Sequence, residues 1–127
     1  MNDSWIITGA NTQMHGVYEA HDIAIADGLI SEVATPEMRP FDGSGLIVMP
    51  GLIDLHGDGF ERHIAPRNGV EFDLETALLA TDRELISNGI TTAYLAMTIS
   101  WEPGLRSIER AREIVSAFKK VQSRCAC

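Results

Sequence analysis

Met49-Pro50-Gly51-Leu52-Ile53-Asp54-Leu55-His56-Gly57-Asp58 is the stretch on which the fold of this chain turns. A Pro-Gly turn opens a short apolar run, and a histidine ends it. Leu52–His56 is predicted to be a strand, short and apolar enough to be buried on both faces of a parallel sheet. Residues i and i+2 of an extended backbone point to the same side. His56 and Asp58 can therefore aim an imidazole nitrogen and a carboxylate oxygen at one ion. These ligand types suit zinc or manganese, and neither alone selects between them. A bare His-x-Asp is a weak signal. Its alternative is a histidine satisfied by a neighbouring backbone group, with Asp58 in a turn.

Downstream, a Gly- and Pro-punctuated loop is expected over residues 57–72, and Asp73 has the character of a helix N-cap. Leu74, Ala77, Leu78, Leu85 and Ile86 then recur at helical spacing. Asn88-Gly89 closes that helix, with Gly89 suited to the left-handed C′ position. Ile90-Thr91-Thr92-Ala93-Tyr94-Leu95-Ala96 is the next predicted strand. After Pro103-Gly104, a second helix is predicted over residues 107–122, with Ile108, Ala111, Val115, Phe118 and Val121 as its apolar stripe. Its far face, with Arg110, Glu113 and Lys120, is expected to be solvated. The order β-α-β-α implies parallel strands joined by right-handed crossovers.

Upstream, residues 1–50 carry short strands and turns. Trp5-Ile6-Ile7-Thr8 is β-branched and aromatic and stops at Gly9. Ile23–Ala26 and Leu29–Val33 flank Asp27-Gly28, a strong hairpin signal because a type I′ turn needs positive φ at both central residues. A polar stretch with Pro36 and Pro40 precedes a fourth strand, Leu46–Met49. The chain thus divides into an N-terminal β segment, 1–50, and a βαβα segment, 51–127. Two strands and two helices cannot close a barrel, which takes about eight of each. The expected fold class is α/β, as one end of a larger protein. The alternative is a small open α/β sheet.

The 127 residues carry a net charge of −8, with 45% hydrophobic and 22% charged residues. That balance belongs to a folded chain, and its sign repels phosphate backbones, so nucleic-acid binding is not expected. No run reaches the roughly 20 apolar residues that span a membrane. The first residues lack the basic region and apolar core of a signal peptide, so a cytoplasmic location is expected. Cys125 and Cys127, the two cysteines, suggest no disulfide framework. Two thiols alone do not fill a tetrahedral metal site. They are expected to belong to a strand start or a frayed tail.

The hairpin-rich start, the Pro-Gly turn and the strand ending at His56 resemble the amidohydrolase superfamily, which implies the start of a TIM-like (β/α)8 barrel preceded by part of a small β-sandwich. Within it, Asp54–Asp58, Phe60-Glu61-Arg62, Ala65-Pro66-Arg67-Asn68-Gly69-Val70, Ser87–Thr92 and Ser100–Ser107 resemble one branch. It is that of the alpha-D-ribose 1-methylphosphonate 5-triphosphate diphosphatases, the PhnM type. The likeness runs through most of residues 46–122. It implies a metal-dependent diphosphatase of phosphonate degradation that hydrolyses a phosphorylated sugar triphosphate and releases pyrophosphate. His56 and Asp58 would be metal ligands. Arg67, and less directly Arg62, would clamp phosphate oxygens through the guanidinium fork; for Arg62 the alternative is a salt bridge to Glu61 or a neighbouring acid. Catalytic residues are not assigned.

Glu61 is expected to be exposed, with a general base or ligand-orienting role as its alternative. Trp101 is expected to pack the second loop, His15 and His21 to be surface or packing residues. His63 and Arg106 receive no role. The remaining ligands implied by the resemblance lie on later strands, so the chain is expected to be an incomplete, inactive fragment. The full protein could be a homo-oligomer. Two further functions stay open: another amidohydrolase (a cyclic-amide hydrolase, deaminase or deacetylase), and a noncatalytic α/β domain.

Overall fold

The structure is a computed structural model that describes residues 4–14 and 16–127. His15 lies outside them. The chain falls into two compact units, Met1–Pro50 and Gly51–Cys127.

Among the described residues the first unit holds seven strands: β1 (Trp5–Thr8), β2 (Asn11–Met14), β3 (Val17–Ala20), β4 (Ile23–Ala26), β5 (Leu29–Ser31), β6 (Arg39–Asp42) and β7 (Ile47–Val48). They form a four-stranded sheet ordered β5-β4-β1-β6 and a three-stranded sheet ordered β3-β2-β7. The expected hairpin is present: Asp27 at φ 52° and Gly28 at φ 76° turn antiparallel β4 into β5. Three strands escaped the sequence pattern. β2 is mostly polar, every residue of β3 is exposed, and β6 contains Pro40. Proline lacks a ladder donor and is tolerated at a sheet edge, which is where β6 lies. His21 is exposed, as read from the sequence.

The second unit runs β8 (Leu52–Gly57), α1 (Phe60–Ile64), α2 (Leu74–Ser87), β9 (Ile90–Leu95) and α3 (Ile108–Val121), then a 3-10 turn, Gln122–Arg124. β8 and β9 pair in parallel, as the alternating pattern implies. The stretch expected to be loop over 57–72 contains α1, too short for helical periodicity to show. Its Phe60 and Ile64 anchor the core with Ala77, Leu78, Ile114, Ala117 and Val121.

Asp73 caps α2, accepting from the Thr76 backbone N–H at 2.9 Å, and Gly89 sits at φ 77° beyond the helix. The Thr76 backbone and hydroxyl bonds hold the Asp73 carboxyl below its ordinary pKa. A lowered folded-state pKa contributes stability above the unfolded pKa and loses it as pH falls through the folded value. Asp73→Ala should therefore lower the melting temperature at neutral pH. The gap between variant and parent should shrink in acid; a gap that widened there would contradict the cap.

Two expectations about packing are corrected. Leu52–His56 is not buried on both faces: Ile53 is 61% and Leu55 75% exposed. One face of a two-stranded sheet packs on its helices, and no further described element of this unit covers the other. The α3 stripe is rotated from the predicted one. Ala111, Ile114, Ala117 and Val121 are buried, whereas Ile108, Val115 and Phe118 are exposed. Apolar residues cover so wide an arc of this helix that the period alone fits either stripe. The far face is also more engaged than predicted. Arg110 bonds Glu71 at 2.6 Å and Glu113 at 2.9 Å, and Lys120 reaches Glu75 at 3.1 Å.

Candidate metal and anion site

β8 does not run in unbroken register beside β9. Asp54 lies opposite Ala93 and Gly57 opposite Leu95, so three steps along β8 match two along β9. A surplus residue of this kind re-aims the side chains near it. Asp54 and Gly57 consequently share a side of the ladder: a Cβ built on Gly57 would lie 2.7 Å from Asp54 Oδ2. The other carboxylate oxygen, Oδ1, accepts the His56 backbone N–H at 3.0 Å. Asp54 therefore organises the irregular backbone from which His56 and Asp58 project. The sequence displayed this residue inside the motif but gave it no task, because a bulge leaves no periodic mark.

His56 and Asp58 are exposed at the carboxyl end of β8. They border a cleft of about 260 Å³ together with Asp54, Arg62, Glu84 and Asn88. Arg62 Nη2 stands 3.7 Å from Glu84 Oε1, so its acidic neighbour is on α2 and not the adjacent Glu61. The other Glu84 oxygen, Oε2, is held by His63. Glu61, expected to be exposed, is half-buried and accepts from Arg106 at 3.1 Å. That pair ties α1 to the loop before α3. Arg67 stands apart: its carbonyl accepts from Val70 at 3.1 Å, and its loop borders a separate groove with Asn68 and Glu71. The structure thus brings Arg62 to the cleft of His56 and Asp58, and Arg67 to another. Trp101, expected to pack, is 90% exposed.

An imidazole and a carboxylate are donors of the right kind for zinc or manganese. Among the described residues no third His, Cys, Asp or Glu completes a group able to hold a metal ion. A catalytic zinc takes about three protein ligands, one more than His56 and Asp58 could supply between them. No helix among the described residues is long and apolar enough to cross a membrane.

No protein-family model matches the chain. Over 123 residues it is 26% identical to the alpha-D-ribose 1-methylphosphonate 5-triphosphate diphosphatase of Escherichia coli (strain K12). That alignment covers 94% of this chain and 32% of the diphosphatase, so the chain spans about a third of the relative's length. A 40-residue stretch, 28% of this chain and 9% of the relative, is 55% identical to the dihydroorotase of Citrifermentans bemidjiense. A solved amidohydrolase superposes with a TM-score of 0.55 at 22% identity, over 77% of this chain and 26% of that one. The chain shares its fold with amidohydrolases. The expected α/β class therefore holds; the diphosphatase resemblance drawn from the motifs is met in sequence at 26% identity, and the amidohydrolase one in fold.

Proposed function

We propose that the protein containing this chain is a metal-dependent diphosphatase. Its substrate would be alpha-D-ribose 1-methylphosphonate 5-triphosphate, from which it releases pyrophosphate and leaves the 5-phosphate. The observation that carries this reading is the diphosphatase likeness along 94% of the chain. Against the cleft, its parts divide as follows. His56 and Asp58 are two ligands of a zinc or manganese ion, and Asp54 fixes the backbone that presents them. Arg62 meets the triphosphate beside them, and Arg67 meets it from the neighbouring loop. A bound divalent ion supplies an ionised water and offsets phosphoryl charge. The acidic cleft needs that ion before it can accept an anion. A barrel completed by later strands would carry the remaining ligands and cover Ile53 and Leu55. The enzyme works in the cytoplasm on a small phosphorylated sugar, without nucleic acid or membrane, and its barrels can associate as homo-oligomers. Residues 1–127 alone, with two ligands, are expected to turn over nothing.

A second reading is a cyclic-amide hydrolase, favoured by the 55% identity to dihydroorotase over 40 residues. One assay separates them. The gene product containing these residues is incubated with zinc or manganese and either the sugar triphosphate or a cyclic amide. Pyrophosphate release is expected. Ring opening without pyrophosphate would replace the first reading by the second, and turnover of neither would favour a noncatalytic domain.

A further inference from the structure

Asp82 lies on α2 and is buried, unusual for a carboxylate unless something satisfies it. What satisfies it is backbone from 44 and 45 residues away. Its Oδ1 accepts the N–H groups of Ala126 at 3.0 Å and Cys127 at 2.9 Å, and Oδ2 shares the Ala126 N–H at 3.2 Å. Consecutive amides converging on one anion form a strong, charge-assisted clasp. The chain reaches it in extended form: after the 3-10 turn, Cys125 has φ −78° and ψ 146°. The sequence allowed a strand start or a frayed tail here, and the structure holds the Ala126 and Cys127 amides on Asp82.

We propose that Asp82 is the anchor of a docking site for this extended segment. It holds residues 125–127 against α2 and β9 and keeps the half-buried thiols of Cys125 and Cys127 partly covered; loss of the carboxylate loosens the segment and exposes both thiols further. Cys125 packs against the core cluster, and its Sγ contacts the Val121 carbonyl at 3.6 Å. Cys127 borders the same small cavity as Ala93, on β9. Leu78, Thr81, Ala93 and Phe118 line the small cavity shared with Asp82 and both cysteines. Burial first, and then the Asp82 charge, push both thiols up. The thiolate is the reactive form, so loosening the segment is expected to speed the reaction of both thiols.

The test uses the gene product containing these residues and two variants of it. Asp82→Asn keeps the volume and removes the charge. Ala126→Pro removes one amide donor and leaves the carboxylate intact, and the extended Cys125 suits a residue before proline. Hydrogen exchange reads the anchor directly, and an aromatic disulfide reagent reads the thiols. In Asp82→Asn, the amides of Ala126 and Cys127 should exchange about tenfold faster or more. Both thiols should react correspondingly faster, with the amides of α2 unchanged. Ala126→Pro should speed the thiol reaction in the same direction. Unchanged rates in Asp82→Asn would overturn the proposal. So would loss of protection throughout α2, which would make Asp82 a general support of the helix core.

Discussion

Phe60→Ala should destabilise the Gly51–Cys127 unit by about 3–5 kcal/mol, the range for removing a buried aromatic from a packed core. Phe60 is 1% exposed and the largest fully buried side chain. It belongs to the cluster that joins α1, α2 and α3. Whole domains are stable by only about 5–15 kcal/mol, so this one truncation should remove a large share of the margin. Phe118→Ala is the internal comparison. Phe118 is 40% exposed, and its loss should cost about 1–2 kcal/mol, because a good part of its surface already meets water. Urea unfolding of the two variants, read at the midpoint, measures both. Equal losses would mean that α3 buries the stripe read from the sequence, with Phe118 inward, and not the stripe observed.

That comparison also marks where sequence reasoning stopped. Local chemistry was legible. Asp27-Gly28 announces its turn, Asp73 its cap and Gly89 its helix end, because each is decided by one or two residues and a dihedral preference. Apolar runs located β1, β4, β8 and β9. Elements without a strong local signal were not legible: β3 is exposed throughout, β6 holds a proline, and α1 has five residues. Long-range pairing was invisible as well. Glu61 finds Arg106 across 45 residues, and Asp82 finds Cys127 across the same span. No spacing rule connects such positions. In the cleft, His56 and Asp58 were legible as a motif. The register shift that re-aims them was not, since it depends on how β8 meets β9.

His56→Ala and Asp58→Ala carry the other large expected effect. In the gene product containing this chain, each should abolish stoichiometric binding of zinc or manganese. Each should also lower kcat/KM by at least about 100-fold, since losing even a residue that only orients a ligand costs about 10–100-fold. The two losses should not add, because an ion deprived of either donor is already lost. His63→Ala is the control that gives this result its meaning. His63 lies seven residues from His56 in sequence, but its ring is engaged by Glu84. Its removal should leave the metal in place and affect turnover only through Glu84 and the Arg62 beside it. Metal analysis of the purified variants reads all three. Full metal content in His56→Ala would leave the strand, the bulge and Asp54 as purely structural features. The exposed histidine would then belong to a fold kept without its chemistry.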